Sequence, residues 1–539
     1  MLTLELRQPV NSIPMWMVWA ICLVWLLAGL TGHDPWKPDE AYRFGPIYSM
    51  LAHDAWLVPT LAGEPFLDIT PGYYYVSALI AKALAVWLPL HDGARLASGL
   101  FMSLALVFTG LAGRELWGRG RGRIATLVLL GSIGLLVRAH QILPATALVA
   151  GISIALYGMA LARRRVVPGG MAIGIGAGLA FFAGGLVEFM ALVLVALSLF
   201  SSASWRTKSF AVALLIATLF ALPFLIIWPA ALWEHSPALF GLWLDTSLSF
   251  DASTALYYLQ LLPWFAWPAL PLALWALWRG RRDVARRPGF QLAGMTFASV
   301  FIMLWFRRPT DAAAITLLVP LALLAAGGVE TLRRGAASAL DWFGVMTFGF
   351  FALLLWSGWV AMFTGYPTGL ARLLERQAPN FVAVFDASGF MIALLLSILW
   401  LASIRVLKRS NQRAVIRWAS GITLIWVIAT ALWLPWLDYA KSYRSMTSAM
   451  SLAFPSDATC VASRGLGEPQ RAMFEYFIGL RTQRLERGAA EHCTALLVQT
   501  TQRAELAAAA GWREIWRGSR PGERFERFIL YVRDPAVAS

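Results

Sequence analysis

The sequence predicts an α-helical protein that crosses a membrane many times and ends in a small α/β domain. Of its 539 residues, 59% are hydrophobic and only 14% are charged. A soluble chain of this length needs more charged residues to cover its surface. Apolar runs recur along the chain, and each is long enough to cross roughly 30 Å of hydrocarbon. Beyond Asp438 the composition turns polar, which marks the start of the α/β domain.

The apolar runs predict about thirteen membrane spans. The first run ends without a small-x-small cleavage site, and we therefore expect an uncleaved span there. The predicted spans lie near residues 14–30, 96–113, 124–141, 143–161, 171–186, 187–203, 209–228, 259–278, 290–305, 312–329, 341–364, 387–404 and 416–437.

The apolar stretch 73–90 decides the predicted topology, because counting it as a span would place the cluster Arg114 to Arg123 outside. If it lies on the outer surface instead, cytoplasmic segments carry 22 of the 45 Lys and Arg residues and short outer loops carry nine. The positive-inside rule favours this second arrangement. We therefore expect a bacterial inner-membrane protein with a cytoplasmic N-terminus and a periplasmic C-terminal domain. The same topology accounts for the net charge of +15 without a nucleic-acid partner.

Two domains follow from this plan, a transmembrane domain at 1–437, with a first periplasmic loop at 31–95, and a periplasmic α/β domain at 438–539. Cys460 and Cys493 both fall in the second domain, and a disulfide between them is left open. No metal-ligand spacing of Cys and His occurs. Within the second domain we expect strands at 494–500 and 527–533 and helices at 468–480 and 501–511.

Two adjacent acids, Asp39 and Glu40, follow a proline just after the first span. They begin a predicted short helix, Asp39 to Leu51, whose dipole stabilises a carboxylate at this end. Asp39 is explained either as a helix cap or as part of a site that activates a hydroxyl or phosphate acceptor, with Arg43 close behind it. The local pattern does not decide between these two interpretations.

The stretch Trp36 to Ala83 resembles the first periplasmic loop of the aminoarabinose transferase and protein O-mannosyltransferase-like families, which are GT-C membrane glycosyltransferases. The shared pattern is an acidic pair, then W-x-V-P-x-L-x-G-x-x-x-F, then an aromatic-rich juxtamembrane helix. Here these parts are Asp39-Glu40, Trp56 to Phe66 and Gly72 to Tyr75. The predicted spans and outer C-terminal domain are similar to this family over essentially the whole chain.

The resemblance implies a GT-C glycosyltransferase that transfers a sugar from polyprenyl (undecaprenyl) phosphate, with inversion, to an extracytoplasmic acceptor. Lipid A, as in lipopolysaccharide modification, another glycan, a lipid and a protein all remain possible acceptors. The resemblance also implies Asp39 and Glu40 as the catalytic pair, with Asp39 as the general base. No cofactor is expected to be obligatory, although a divalent metal at Asp39, Glu40 and Glu188 is left open. We expect a monomer.

Some charged residues of the family's lipid-phosphate site are missing here. Ile69 occupies the position at which the family usually has a lysine, and Ala145 the position at which it often has a second acidic residue. The best replacements are Arg307 and Arg308 in the outer-loop segment FRRPTD, because adjacent Arg side chains can clamp a phosphate. The alternative is that both arginines snorkel to lipid headgroups.

Other candidates have equally plain structural explanations. Glu188 either replaces the missing acid or is a polar loop residue, and Arg138 beside His140 is either a ligand or an interfacial anchor. Tyr73 and Tyr74 either stack on a sugar or prenyl group or belong to an interfacial aromatic belt. The full set of predicted substrate-binding residues is Arg43, Tyr73, Tyr74, Arg138, Glu188, Arg307 and Arg308.

Two other functions remain open from the sequence. A catalytically degenerate relative that binds a polyprenyl lipid would account for the missing Lys and acid. A lipid flippase or transporter would carry charged residues near the bilayer midplane or repeated halves, and the spans show almost no such charge and no repeat.

Overall fold

The computed structural model of the chain describes residues 13–249, 255–406, 410–455, 460–488, 492–501, 511–523 and 525–533. Arg7, Lys408 and Arg409, which entered the charge count, lie outside these ranges, and so does Asp251. Most of the predicted helix 501–511 also lies outside the described residues.

Helices form most of the described chain up to Ser451, as the composition predicts. The first half contains α1 (Met15–Leu27), α2 (Asp39–His53), β1 (Thr60–Leu61), β2 (Glu64–Pro65), α3 (Gly72–Leu84), α4 (Leu90–Trp117), α5 (Arg121–Leu130), α6 (Leu135–Arg138), α7 (Ala145–Ala162), α8 (Val166–Gly184), α9 (Leu186–Leu199), α10 (Lys208–His235) and α11 (Pro237–Ser247). The second half contains α12 (Ala255–Phe265), α13 (Ala269–Gly280), α14 (Pro288–Trp305), α15 (Asp311–Ala314), α16 (Leu318–Gly328), α17 (Arg334–Thr364), α18 (Thr368–Gln377), α19 (Ala387–Val406), α20 (Asn411–Lys441) and α21 (Arg444–Ser451).

Nine helices of the described chain are long and apolar enough to cross a membrane, and the bent pair α12 and α13 makes a tenth if it is one span. The shorter helices α1 and α9 are also apolar. One predicted span, 124–141, is wrong as a continuous helix. The helix α5 ends after ten residues, and a separate single turn, α6, follows it. Glycines at 131 and 134 fall in this break and disfavour a helix interior. The exact number of spans stays a prediction.

The break between α5 and α6 meets a second break between α12 and α13, which are bent by 96°. The backbone N–H of Ile133 donates to the carbonyl of Trp267 at 3.0 Å, and that of Gly134 donates to the carbonyl of Phe265 at 2.8 Å. A Cβ on Gly134 would lie 2.4 Å from the ring of Phe265, so only glycine allows this approach. The N–H groups of the first break thus donate to the carbonyls of the second break. Irregular backbone inside a membrane protein needs such partners, because no water is available there.

Two helices of the first loop, α2 and α3, lie beside the bundle. The segment predicted as a surface helix at 73–90 forms α3, whose 13 residues are too few for a candidate span of the described chain, and its place at the membrane surface stays a prediction. The buried side of α3 packs on α4, and α2 packs on α3 and on a helix of the C-terminal region, α22 (Glu468–Ile478). The first loop is therefore held between the membrane helices and the C-terminal region.

The C-terminal region is a five-stranded sheet with the strand order β4-β3-β5-β7-β6. Strand β3 runs parallel to β4 and β5, whereas β7 is antiparallel to β5 and β6. Helix α22 connects β3 to β4, which makes a βαβ unit. The predicted elements 468–480, 494–500 and 527–533 are confirmed as α22, β5 and β7. The strands are β3 (Val461–Arg464), β4 (Thr482–Arg484), β5 (Ala495–Thr500), β6 (Trp512–Gly518) and β7 (Arg527–Arg533).

A disulfide joins Cys460 to Cys493, 33 residues apart, whereas Cys22 is a buried free thiol in α1. The two bonded residues precede β3 and β5, so the bond ties together neighbouring parallel strands. This settles the pairing that the sequence left open.

We expect thiol titration of denatured, non-reduced protein to find one thiol, Cys22, because the other two cysteines are bonded. After reduction the same titration should find all three. The double variant Cys460→Ser/Cys493→Ser serves as the control and should give one thiol under both conditions. Three thiols before reduction would contradict the disulfide.

Candidate active site

Asp39 is the first residue of α2, and its side chain is 32% exposed. The N-cap position belongs to Pro38, and no side chain caps this helix. The carboxylate of Asp39 instead forms an ion pair with the guanidinium of Arg138, which comes from α6. The hypothesis that Asp39 is only a helix cap is therefore wrong, because its charge is engaged by a distant arginine.

Arg138 joins two carboxylates. One of its nitrogens contacts Asp39, and the other contacts Asp311, the first residue of α15. The same guanidinium donates to the amide oxygen of Gln141 at 3.0 Å. The start of α2, the end of α6 and the start of α15 thus meet in one partly exposed cluster of two acids and one arginine, which we call the Arg138 cluster.

Asp311 was not among the predicted site residues. It lies in the segment FRRPTD, where the two arginines drew attention and the acid did not. The side chain of Thr310 caps α15 by accepting a hydrogen bond from the N–H of Ala313 at 3.2 Å, which fixes Asp311 at the helix start. An acid beside Arg138 is therefore present, although at a position different from Ala145.

Glu40 is fully buried and lies behind the Arg138 cluster. Its carboxylate accepts a hydrogen bond from Nε of Arg95 at 2.8 Å and another from the N–H of Ile142 at 3.0 Å. The prediction that Glu40 takes part in catalysis beside Asp39 is not supported by this position, because a carboxylate without exposed surface cannot contact a substrate.

Arg95 is buried as completely as Glu40 and connects several parts of the first loop. It donates to Asp92 at 2.7 Å and to the backbone carbonyls of Leu30 and His33 at 3.3 and 3.1 Å. We call Glu40, Arg95 and Asp92 the Arg95 network. It holds the chain between α1 and α2 against the start of α4, and through Ile142 it reaches the segment that follows Arg138.

The protonation states in the Arg95 network follow from burial and charge. Burial alone would raise the pKa of Glu40, but the charge of Arg95 and the hydrogen bonds to the carboxylate hold this pKa below its usual value. Burial and then the charge of Arg95 lower the pKa of His33 to about 4, so its ring is neutral at pH 7. Glu40 is therefore ionised, and its partner is the guanidinium.

Two more of the predicted residues form a second ion pair. The guanidinium of Arg307 lies 3.5 Å from the carboxylate of Glu188 and donates to the carbonyl of Ser247 at 3.2 Å. Arg308 is exposed, unlike its neighbour. Arg307 lies between α14 and α15, and Asp311 begins α15, so this ion pair is close along the chain to the Arg138 cluster.

Arg43 and the tyrosines occupy different surroundings. Tyr73 and Tyr74 have no exposed surface, and the hydroxyl of Tyr73 is 2.7 Å from Ser98 Oγ. Neither ring offers a face to a sugar or to lipid, so both explanations of these residues from the sequence fail in this structure. Arg43 donates to the Tyr74 hydroxyl at 3.3 Å and lies 4.9 Å above the ring of Tyr42. Its printed partners are aromatic residues of the first loop, and no contact with Asp39 or Arg138 occurs among the described residues.

The metal site that the sequence left open is not formed. Glu40 is engaged by Arg95 and Glu188 by Arg307, so neither joins Asp39. Within the described ranges, one group of three possible metal ligands lies close enough together, namely Cys460, Cys493 and His492. Both of these cysteines are in the disulfide, so neither offers a thiolate.

The architecture defines the class of protein as a polytopic membrane protein with a fold of the GT-C type. Over 97% of its length the chain matches 98% of the crystal structure of ArnT from Cupriavidus metallidurans bound to undecaprenyl phosphate, with a TM-score of 0.70 and 16% identity. The crystal structure of that ArnT in the apo state gives a TM-score of 0.68 and 15% identity over the same shares. At this identity the likeness shows the fold.

A curated sequence relative has a related name. The undecaprenyl phosphate-alpha-4-amino-4-deoxy-L-arabinose arabinosyl transferase 1 of Pseudomonas fluorescens (strain Pf0-1) is 25% identical over 319 residues. The match covers 54% of this chain and 52% of that protein, so the chain spans about half the length of the curated relative it matches. No family model matches the chain. The chain is thus similar to aminoarabinose transferases in both sequence and fold.

We expect Glu40→Gln to lower the free energy of unfolding by about 3–5 kcal/mol, because it removes one partner of a buried ion pair. Asp39→Asn, which breaks a partly exposed pair, should cost less than about 1 kcal/mol. Since the pKa of Glu40 is depressed in the folded state, its contribution is present at neutral pH and is lost as the pH falls below roughly 4. Unfolding of the detergent-solubilised variants at pH 7 and at low pH measures both effects. Equal losses for the two variants at pH 7 would contradict this role of Glu40.

Proposed function

We propose that the protein is a membrane glycosyltransferase that takes a sugar from a polyprenyl phosphate and transfers it, with inversion, to an extracytoplasmic acceptor. The observation that carries the proposal is the half-exposed carboxylate of Asp39, held by Arg138 at the start of α2 in an ArnT-like fold.

In the proposed reaction, Asp39 acts as the general base. An acceptor hydroxyl gives its proton to the Asp39 carboxylate while its oxygen attacks the anomeric carbon of the sugar. The bond from that carbon to the phosphate oxygen breaks, and polyprenyl phosphate leaves with the bonding electrons. Attack from the face opposite the phosphate inverts the anomeric centre.

Arg138 links the base to the phosphate in this proposal. In the present structure its guanidinium is shared by Asp39 and Asp311. A phosphate that arrives here competes with both carboxylates for the same donors and forms charge-assisted hydrogen bonds of its own. When Asp39 is released from Arg138, the carboxylate oxygens of Asp39 become available to the acceptor hydroxyl. Binding of the donor phosphate therefore frees the general base.

Arg307 is the better of the two adjacent arginines for a second phosphate contact. Its guanidinium is already partly buried and placed by the carbonyl of Ser247, whereas Arg308 is exposed. The carboxylate of Glu188 lies at 3.5 Å, a longer separation than in a close ion pair, which leaves room for a stronger acceptor. We assign the contact with the donor phosphate to Arg307, and we propose that Arg308 contacts lipid headgroups.

A polar cavity of 220 Å³ supports an acceptor that carries hydroxyl or anionic groups. It lies between the first loop and the C-terminal sheet, with Tyr42, Asp68, Arg484 and Arg487 among its lining residues. Tyr42 follows Asp39 by about one helical turn on α2, so the cavity and the base are carried by the same helix. Lipid A, another glycan, a lipid or a protein each fit this chemistry.

The proposed topology places this site at the periplasmic face of a bacterial inner membrane, with the N-terminus inside. The disulfide of Cys460 and Cys493 supports an oxidising compartment for the region after residue 437. We keep 1–437 as the transmembrane unit and 438–539 as the periplasmic unit.

We expect Asp39→Asn and Asp39→Ala to lower the rate of sugar transfer by about 10²–10⁴-fold, because general base catalysis contributes this much. Asp54→Asn is the matched control, since Asp54 is an exposed acid at the other end of α2 and should leave the rate unchanged. Transfer of radiolabelled sugar from polyprenyl phosphate in membranes with equal protein levels gives the measurement. Full activity of both Asp39 variants would remove Asp39 as the base.

Arg307→Gln and Arg308→Gln form a second matched pair. Loss of a hydrogen bond to a charged group costs about 1.5–3 kcal/mol, so Arg307→Gln should lower kcat/KM for the donor by roughly 10–100-fold. Arg308→Gln should change it by less than about twofold, because an exposed headgroup contact contributes little. Initial rates over a range of donor concentrations distinguish the two variants, and equal effects would contradict the assignment.

A further inference from the structure

A groove of 550 Å³ lies between α1, α4 and α5. Its walls are largely apolar and include Val18, Leu23, Leu106 and Val107. The side chain of Leu23 is 58% exposed, which shows that the groove is open along α1. Its volume falls within the range of about 300–1,000 Å³ typical of small-molecule sites.

Three arginines, Arg114, Arg119 and Arg123, also line this groove. Arg114 lies in the last turn of α4, Arg119 in the turn that follows, and Arg123 in the first turn of α5. The α5 N-terminus adds its free N–H groups, because its N-cap is Gly120 and no side chain caps it. We call this groove and its arginines the α1–α4–α5 groove.

The positive charge of the groove is balanced only in part, because the carboxylate next to Arg114, that of Glu115, is hydrogen-bonded to Arg164. Neighbouring arginines are paired, Arg121 with Glu330 and Arg164 with Glu115. By contrast, Arg114 and Arg119 form no ion pair with a carboxylate in the described part of the chain, and Arg123 donates to the neutral carbonyl of Ile13. The guanidiniums of Arg114 and Arg119 are therefore available to an external anion, and that of Arg123 keeps N–H donors beyond the one that contacts Ile13.

The groove is separate from the Arg138 cluster. Arg95 and Arg114 lie on the same helix, α4, and 19 residues of helix correspond to about 28 Å. This distance is close to the thickness of the hydrocarbon core, roughly 30 Å. The arginines of the groove thus lie at the opposite end of the membrane helices from Asp39.

We propose that the α1–α4–α5 groove binds an anionic glycerophospholipid. One acyl chain occupies the apolar walls between α1 and α4, and the phosphate contacts Arg114, Arg119 and Arg123. Basic pockets between membrane helices bind anionic headgroups in this way, and guanidinium–phosphate hydrogen bonds are charge-assisted. A polyprenyl phosphate is a poorer occupant, because a sugar donor has to reach Asp39 at the other end of the helices.

The test uses the full-length protein, delipidated in detergent and titrated with dioleoyl phosphatidylglycerol under native mass spectrometry. We expect a first bound lipid that is held at least fivefold more tightly than dioleoyl phosphatidylcholine. Arg114→Gln/Arg119→Gln should weaken it at least fivefold. Arg281→Gln/Arg282→Gln removes two exposed arginines elsewhere and should change the affinity by less than twofold.

A second pair of variants tests the groove itself rather than its charge. Val107→Trp fills the groove and should also weaken phosphatidylglycerol binding at least fivefold. Leu100→Trp adds the same ring at an exposed position of α4 outside the groove and should leave binding unchanged. Thermal unfolding of each variant shows whether it is folded.

Several results would overturn the proposal. One is an affinity that neither Arg114→Gln/Arg119→Gln nor Val107→Trp changes, and another is equal binding of the zwitterionic lipid. Displacement of phosphatidylglycerol by equimolar undecaprenyl phosphate would identify a polyprenyl site instead. Binding that appears only after deletion of residues 2–12 would identify that segment of the chain as the natural occupant.

Discussion

The buried ion pair of Glu40 and Arg95 is the interaction on which the rest of the site depends. Two opposite charges without exposed surface tie α2 to α4, and the N–H of Ile142 adds the segment before α7. Removal of charges from water is costly, so such a pair contributes more to a unique arrangement than to net stability. Here the arrangement places Asp39, the residue before Glu40, beside Arg138, a few residues before Ile142.

Charge is sorted between the two ends of the membrane helices. Paired acids and arginines gather at the end that carries Asp39, where Asp311 and Arg138 also lie. At the other end of α4, Glu115 is paired with Arg164, whereas Arg114 and Arg119 form no ion pair within the described ranges, which suits an anionic lipid surface. One long helix therefore connects a proposed catalytic face with a proposed lipid-binding groove, and each depends on its own set of residues.

The sequence predicted the helical membrane fold, the helix α22 and two of the five strands of the C-terminal sheet, β5 and β7, because each depends on local composition and periodicity. It also singled out Asp39 and Arg138, but their pairing across 99 residues left no local signal. The burial of Glu40 did have a local signal, since Glu40, Phe44 and Ile47 share one helix face and all three are fully buried. Asp311 was overlooked because its partner, Arg138, lies 173 residues away.

The most direct measurement of the central claim is a cryo-electron-microscopy structure of the wild-type protein in lipid nanodiscs with undecaprenyl phosphate. We expect phosphate density in contact with the guanidiniums of Arg138 and Arg307, with the Asp39 carboxylate released from Arg138. Phosphate bound away from both arginines, with the pair of Asp39 and Arg138 unchanged, would show that donor binding does not release this base.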